Sequence, residues 1–207
     1  APHFPLIVPQ EYYDLYKNID LPELKKFNPE LVNHPWWLAF NKSITFDKYF
    51  RDDLHRREAI ISYLGLCTFV DKLIGDVLDR LEAISLQNNT NILFLSDHGE
   101  NLGARGLWGK SVMYEESVGI PMILAGNSVP KGLIVKTPVS LIDVFPSILD
   151  VFNIEETAEK SGESLFEIAK NKDNKKRLVF SEYHGAGAIS GAFMVGDGKY
   201  KYINYVN

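Results

Sequence analysis

The pattern of hydrophobic and polar positions changes character along the chain. Residues 1–54 show little periodicity and are rich in proline and aromatic residues, which predicts an ordered loop region without long regular elements. Residues 55–83 place apolar side chains, including Ile60 and Cys67, at three- to four-residue steps and charged side chains on the opposite face. This spacing predicts one amphipathic helix with Cys67 buried on its apolar face, and Asp53 is a candidate cap.

Beyond this helix, short apolar runs alternate with a helical segment. The runs at 91–96, 121–125 and 178–182 predict buried strands, whereas residues 141–152 have helical spacing. Alternating strands and helices favour an α/β fold with a mainly parallel sheet sandwiched by helices. The tail differs, because Asp197-Gly198 lies between two β-prone runs and predicts an antiparallel hairpin.

Composition narrows the classes of function. The chain has 207 residues, of which 45% are hydrophobic and 24% charged, as in ordinary globular proteins. A net charge of -5 gives no electrostatic reason to expect nucleic acid as a partner. No apolar run approaches the roughly 20 residues that a membrane span needs. The single cysteine cannot form an intrachain disulfide, so disulfide counting leaves the compartment (cytoplasmic, periplasmic or secreted) open. The sequence also leaves the oligomeric state open.

The segment SDHGENLGARGLWGK, residues 96–110, carries the candidate chemistry. It begins where a buried strand ends, which is where open α/β sheets place their ligand sites. Asp97 and His98 combine a carboxylate with an imidazole, a pair that can bind a divalent metal. The glycines allow the chain to turn tightly, so Lys110 can bring its positively charged side chain close to Asp97 and His98. A metal ion together with an ammonium group would form a binding site for a tetrahedral anion.

This segment and its continuation resemble the sulfatase family of the alkaline phosphatase superfamily. The matching stretches are residues 96–124 and VSLIDVFPSILDVFNI at 139–154, and the opening PHFPL is similar to the family's histidine-bearing loop. The tail at 180–205 is similar to the choline-sulfatase-like branch. The resemblance implies an alkaline phosphatase-like α/β fold and the cleavage of a small-molecule sulfate monoester. Residues 1–176 would then be part of the catalytic domain, and 177–207 would start an antiparallel carboxy-terminal subdomain.

The resemblance also assigns site residues. Asp97 and His98 would be two ligands of one divalent cation, which is usually calcium in this family. Lys110 would bind the sulfate oxygens, and His3 would contact the sulfate and protonate the leaving oxygen. His184 would face the alcohol portion of the substrate. Glu100 is a candidate to orient His98.

One part of the family's machinery is not found in this sequence. The nucleophile is a cysteine or serine in a C/S-x-P-x-R motif, which is converted to formylglycine. Cys67 is followed by Thr68-Phe69-Val70-Asp71 and does not match that motif. We therefore expect the nucleophile and the paired acidic metal ligands in an amino-terminal half, and we expect these 207 residues alone to be an inactive fragment.

Several other functions compete with this interpretation. Phosphonate, phosphate monoester or phosphate diester hydrolases of the same superfamily remain open. A two-zinc enzyme would need Asp-x-x-x-His, but Arg51 precedes His55 and Glu30 precedes His34 at that spacing. A nucleotide-binding P-loop would need glycine at Ala104. A catalytically inert binding or structural module is the non-enzymatic alternative.

Overall fold

The computed structural model describes residues 2–24, 35–127, 129–155, 162–171, 173–185 and 187–206, without the side chain of Trp37. Six helices and five strands fall in these ranges. The helices are α1 (Gln10–Asp14), α2 (Pro35–Ser43), α3 (Asp53–Ala83), α4 (Glu115–Val118), α5 (Val144–Val151) and α6 (Leu165–Lys170). The strands are β1 (Ile92–Leu95), β2 (Met122–Ala125), β3 (Val179–Tyr183), β4 (Ala192–Gly196) and β5 (Lys201–Tyr205). Short 3-10 turns at 46–49, 87–89, 104–106 and 141–143 connect them.

The long helix α3 confirms the amphipathic helix predicted at 55–83. Its cap is Asp52 rather than Asp53, because the Asp52 carboxylate accepts a hydrogen bond from the backbone N–H of His55 at 2.8 Å. Helix α1 packs closely against α3, where a side chain on Gly65 would meet the Tyr12 carbonyl at 3.0 Å. The prediction that Cys67 is buried was wrong, since its side chain is exposed.

The strands form two separate antiparallel sheets within the described residues. Strand β1 pairs with β2, with Leu95 opposite Met122, and β3, β4 and β5 form a three-stranded sheet in that order. The expectation of mainly parallel pairing was therefore wrong for this part of the molecule. The physical reason is the connection from β1 to β2: it contains only the four-residue helix α4 and no crossover helix, so β2 starts beside the end of β1 and runs back.

The carboxy-terminal sheet confirms the hairpin predicted at Asp197-Gly198. Strands β4 and β5 pair with Gly196 opposite Lys201, and the Asp197 carboxylate accepts from the backbone N–H groups of Lys199 and Tyr200. This sheet is antiparallel, as expected for residues 177–207, while the domain boundary at residue 176 stays a prediction.

The largest core cluster links this sheet to α2 and to the loop between β1 and β2. It consists of Trp36, Phe40, Leu107, Val112, Met113, Ala192 and Met194. The Trp36 ring stacks on Tyr205 with centroids 4.7 Å apart, and its Nε1 donates to the Ser190 carbonyl at 2.9 Å. Helix α2 is a regular element inside 1–54, where none of length was expected, and Pro35 occupies its first position, where proline is tolerated. The core thus holds the loop that carries Lys110.

No helix in the described parts of the chain is both long enough and apolar enough to span a bilayer.

Candidate active site

The end of strand β1 positions Asp97 and His98. The Asp97 carboxylate accepts from the His98 backbone N–H at 3.0 Å and lies 3.5 Å from His98 Nε2. His98 Nδ1 lies 2.8 Å from the Gly99 carbonyl, which can only accept a hydrogen bond, so Nδ1 carries a proton and Nε2 is the ring nitrogen that faces Asp97. Desolvation opposes ionisation of Asp97, but the neighbouring His98 and backbone hydrogen bonds prevail and lower its pKa. The pair therefore presents an anionic oxygen and a ring nitrogen side by side.

Lys110 projects from a loop that is anchored on both sides. Leu107 and Trp108 precede it and are each 2% exposed, and the buried Val112 and Met113 follow it. Gly109 has φ +81°, a conformation that side chains rarely adopt, and this lets the backbone turn directly before the lysine. The loop is thus held in the core while Lys110 itself stays partly accessible.

The four residues predicted for metal and sulfate lie together in space. Lys110 Nζ is 2.6 Å from His3 Nε2, and the His3 and His98 rings have centroids 6.0 Å apart. His3 Nδ1 is 3.1 Å from the Phe4 carbonyl, so Nε2 is the ring nitrogen that faces Lys110. Residues from three distant parts of the sequence, at 3, 97–98 and 110, therefore surround one small region.

The residues present supply only part of a metal site. Asp97 and His98 offer one carboxylate and one imidazole, and no group of three or more histidine, cysteine or acidic side chains suited to a metal occurs in the described portion of the chain. Their chemistry fits a divalent cation, because Nε2 of His98 is oriented by the hydrogen bond from the other ring nitrogen. Further ligands would have to come from elsewhere.

A cleft of about 780 Å³ opens beside these residues. Asp97, His98 and Lys110 line it, and strands β3 and β4 form another part of its wall with Phe180, Glu182 and Phe193 among other residues. His184 is not among the lining residues but contacts two of them, with Nε2 3.4 Å from the Glu182 carboxylate and its ring packed against Phe193. The structure thus places His184 next to the cleft wall and apart from the four-residue group.

Two further acidic residues shape the site in ways that the sequence did not indicate. Glu100, expected to orient His98, instead accepts hydrogen bonds from the backbone N–H groups of Leu102 and Gly109. Asp47 accepts from Trp108 Nε1 at 2.9 Å and from two nitrogens of Arg56. The position of Glu100 inside the 96–110 segment was a signal for a role there, whereas nothing in the sequence marks Asp47.

Fold and geometry together define a class of protein: an α/β domain in which an aspartate, two histidines and a lysine meet at a strand end, a group with charges suited to a tetrahedral anion. The sulfatase family model matches residues 1–154, and the model for the carboxy-terminal part of N-sulphoglucosamine sulphohydrolase matches residues 103–207. The chain belongs to the sulfatase family.

Curated relatives agree with this assignment. Arylsulfatase K of Danio rerio is 30% identical over 199 residues, which cover 89% of this chain and 38% of the relative. A sulfatase of Formosa agariphila is 29% identical over 215 residues, covering 99% of this chain and 40% of the relative. The chain therefore spans about two fifths of the length of these relatives.

Solved structures confirm the predicted α/β, alkaline phosphatase-like fold. The phosphonate monoester hydrolase SpPMH of Silicibacter pomeroyi matches 99% of this chain and 46% of its own, with a TM-score of 0.84 and 26% identity. The structure of BT4656 in complex with its substrate D-glucosamine-2-N,6-O-disulfate covers 74% of this chain and 33% of its own, with a TM-score of 0.64 and 26% identity.

Proposed function

We propose that the protein containing this chain hydrolyses a sulfate monoester. The observation that carries the proposal is the meeting of His3, Lys110 and the Asp97–His98 pair beside the cleft, with Lys110 Nζ 2.6 Å from His3 Nε2. Membership of the sulfatase family supports sulfur as the reacting centre. An ammonium group fixed at the place where negative charge accumulates is a general means of stabilising a transition state.

Each residue has a role that its position supports. Lys110 donates hydrogen bonds to sulfate oxygens and is held in the loop by its buried neighbours. His3 contacts the sulfate through Nε2, because Nδ1 is engaged with the Phe4 carbonyl. The same Nε2 is the atom at which His3 would hold the proton for the leaving oxygen.

We propose that Asp97 and His98 hold one divalent cation together with ligands from outside the described residues. Calcium is the first candidate because the family resemblance implies it, although an imidazole ligand also suits zinc or iron. When bound, the cation would supply positive charge that polarises the sulfate oxygens. Calcium or zinc titration of the protein, followed by calorimetry, distinguishes these ions.

The alcohol portion of the substrate would lie along the part of the cleft wall that strands β3 and β4 form. Glu182 and Phe193 are direct cross-strand partners there, and His184 contacts both. A carboxylate beside aromatic rings favours an alcohol with hydrogen-bond donors or positive charge and disfavours one that carries a second anion. His184 would act on the substrate through the position of Glu182.

The nucleophile is expected to be a formylglycine outside these 207 residues. The first test is therefore made on the longer protein, with 4-nitrophenyl sulfate as substrate. We expect Lys110→Ala to lower kcat/KM by at least about tenfold, within the range for loss of an electrostatic stabiliser. Lys170→Ala, which removes an exposed lysine of α6 paired with Glu167, is the control and should keep native kinetics. Near-native kinetics of Lys110→Ala would remove Lys110 from the site.

A phosphonate monoester hydrolase is the second candidate. The match to SpPMH over 99% of this chain at a TM-score of 0.84 favours it, and both reactions act on a tetrahedral anion. The ratio of kcat/KM for phenyl phosphonate monoesters to that for 4-nitrophenyl sulfate decides between the two. Absence of turnover of either substrate by the longer protein would favour an inert module instead.

A further inference from the structure

The residue before Lys110 is held at both of its backbone groups. The Gly109 N–H donates to Glu100 Oε1 at 2.5 Å, and the Gly109 carbonyl accepts from the backbone N–H of Asn101 at 2.8 Å and from Asn101 Nδ2 at 2.7 Å. Gly109 and Asn101 are both buried, and Asn101 is only 2% exposed. Three hydrogen bonds therefore converge on a single glycine.

The residues that make these bonds follow directly after the metal-binding pair. Asp97, His98 and Gly99 lead without interruption into Glu100 and Asn101. The start of this segment is itself fixed, because the Gly99 N–H donates to the Ser117 carbonyl at 2.8 Å. The contacts on Gly109 thus close a ring between the part of the loop that carries Asp97 and His98 and the part that carries Lys110.

Such a restraint matters for Lys110 because its side chain is only half-buried. Its ammonium group touches His3, which is exposed and comes from a remote part of the chain. Gly109 alone would not fix the lysine, since a glycine has more backbone freedom than any other residue. A loop error of about 1 Å can reduce catalysis by about a hundredfold.

We propose that Glu100 and Asn101 form a clasp on Gly109 that sets the position of Lys110 relative to Asp97 and His98. Glu100 is a positioning residue in this arrangement, and its carboxylate serves as a hydrogen-bond acceptor for two backbone N–H groups. The proposal rests on the proposed function for the role of Lys110, but the clasp itself is a property of the fold.

The first experiment compares Glu100→Gln with Glu100→Ala in the longer protein. The amide oxygen of glutamine can still accept from both N–H groups, so we expect Glu100→Gln to keep kcat/KM within about threefold and Glu100→Ala to lose about tenfold or more. If Glu100→Gln loses as much as Glu100→Ala, the negative charge matters and the clasp is the wrong explanation. Glu167→Gln, at an exposed acid of α6, is the matched control.

A double-mutant cycle separates positioning from general destabilisation. If Glu100 acts through Lys110, then Glu100→Ala should have little further effect on kcat/KM in a Lys110→Ala background. Multiplicative losses would show that Glu100 acts independently of the lysine and would overturn the proposal.

Hydrogen exchange of the Gly109 amide, followed by NMR, tests the clasp without any activity. We expect the amide to be protected in the wild type and in Glu100→Gln, and to exchange at least about tenfold faster in Glu100→Ala. Equal protection in all three proteins would refute the clasp. A protected amide in a protein that turns over no sulfate ester would leave the clasp standing and refute the proposed function instead.

Discussion

At the scale of single residues, Gly99 is the position where the site tolerates least change. A side chain there would drive its Cβ into the Glu116 carbonyl oxygen, which is a backbone atom that cannot rotate away. The Gly99 N–H also donates to Ser117. Strand β1 and helix α4 can therefore approach as closely as they do only because residue 99 has no side chain.

We expect Gly99→Ala to destabilise the protein by about 1–3 kcal/mol, because the loop must move to admit the methyl group. Gly75→Ala is a matched control, for which we expect the opposite effect on the stability of the protein. Gly75 lies inside α3, and no atom lies within 4 Å of the position that a Cβ would take, so alanine there should stabilise by about 0.5–1 kcal/mol. Urea denaturation of both variants gives the two values, and equal stabilities would contradict the steric argument.

The sequence predicted where Asp97, His98 and Lys110 meet, because a strand end and a glycine-rich return restrict the path of the chain. His3 joined them only through the family resemblance, since nothing in a single sequence places residue 3 beside residue 110. The contacts of Glu100 and Asp47 were not predictable. The Glu100 contacts depend on backbone N–H directions in an irregular loop, and the Asp47 contacts join side chains from separate elements, neither of which periodicity encodes.

At the scale of elements, Asp47 connects three parts of the molecule. It lies in the 3-10 turn at 46–49, binds Arg56 in the first turns of α3 and accepts from the buried Trp108 next to the Lys110 loop. The hydrogen bond from Arg56 lowers the pKa of Asp47 below its ordinary value of 3.8. The ionised carboxylate is therefore favoured by folding.

We expect Asp47→Asn to lower the free energy of unfolding by about 1–2 kcal/mol near neutral pH, a value reduced for the partial exposure of the pair. Because the folded-state pKa is depressed, this contribution is complete above 3.8 and is lost as the pH falls through the folded-state pKa. The stabilities of variant and wild type should therefore converge in acid. Asp14→Asn, which removes an exposed ion pair with Lys17, is the control. A difference in stability between Asp47→Asn and the wild type that does not change with pH would contradict the role assigned to the Asp47 carboxylate.

The elements with strong local signals were predicted well. Helix α3, strands β1, β2 and β3, and the β4–β5 hairpin all occur where apolar spacing or turn chemistry indicated them. The direction of strand pairing was not encoded in the same way, because short apolar runs occur in both parallel and antiparallel strands. Helix α2 was missed because proline and tryptophan at 35–37 suggested a loop, although proline at a first helical position is compatible with a helix.

At the scale of the whole molecule, helix α5 has an unusual distribution of side chains. Its buried residues are Pro146 and Ser147, and directly before it the fully buried Asp143 of the 3-10 turn at 141–143 pairs with Arg177 at 2.5 Å. Its outward side is apolar, with Phe145 59% and Phe152 68% exposed. The middle and end of α3 also expose apolar residues, including Leu73, Val77 and Leu78. We expect exposed apolar side chains in this number to mark faces that contact other polypeptide.

The share of its relatives' length that the chain spans suggests what would cover these apolar faces. The chain spans 38% and 40% of the two curated relatives, and within its described residues no third histidine, cysteine or acidic side chain joins Asp97 and His98 in a group suited to a metal. An incomplete ligand set and uncovered apolar faces would both be corrected by additional polypeptide. We therefore expect the 207 residues alone to differ from the longer protein in surface properties as well as in activity.

The isolated chain should bind the dye ANS with several-fold higher fluorescence than an equimolar amount of the longer protein, because the dye binds exposed apolar surface. It should also show no turnover of 4-nitrophenyl sulfate and only weak binding of calcium by calorimetry, because two ligands do not satisfy a cation that takes about six to eight. A Phe145→Ser/Phe152→Ser double variant of the isolated chain should reduce the ANS signal, since both side chains lie on the exposed face of α5 or at its end. Equal dye binding by the isolated chain and the longer protein would show that these faces remain uncovered, and turnover by the isolated chain would show that its own residues complete the site.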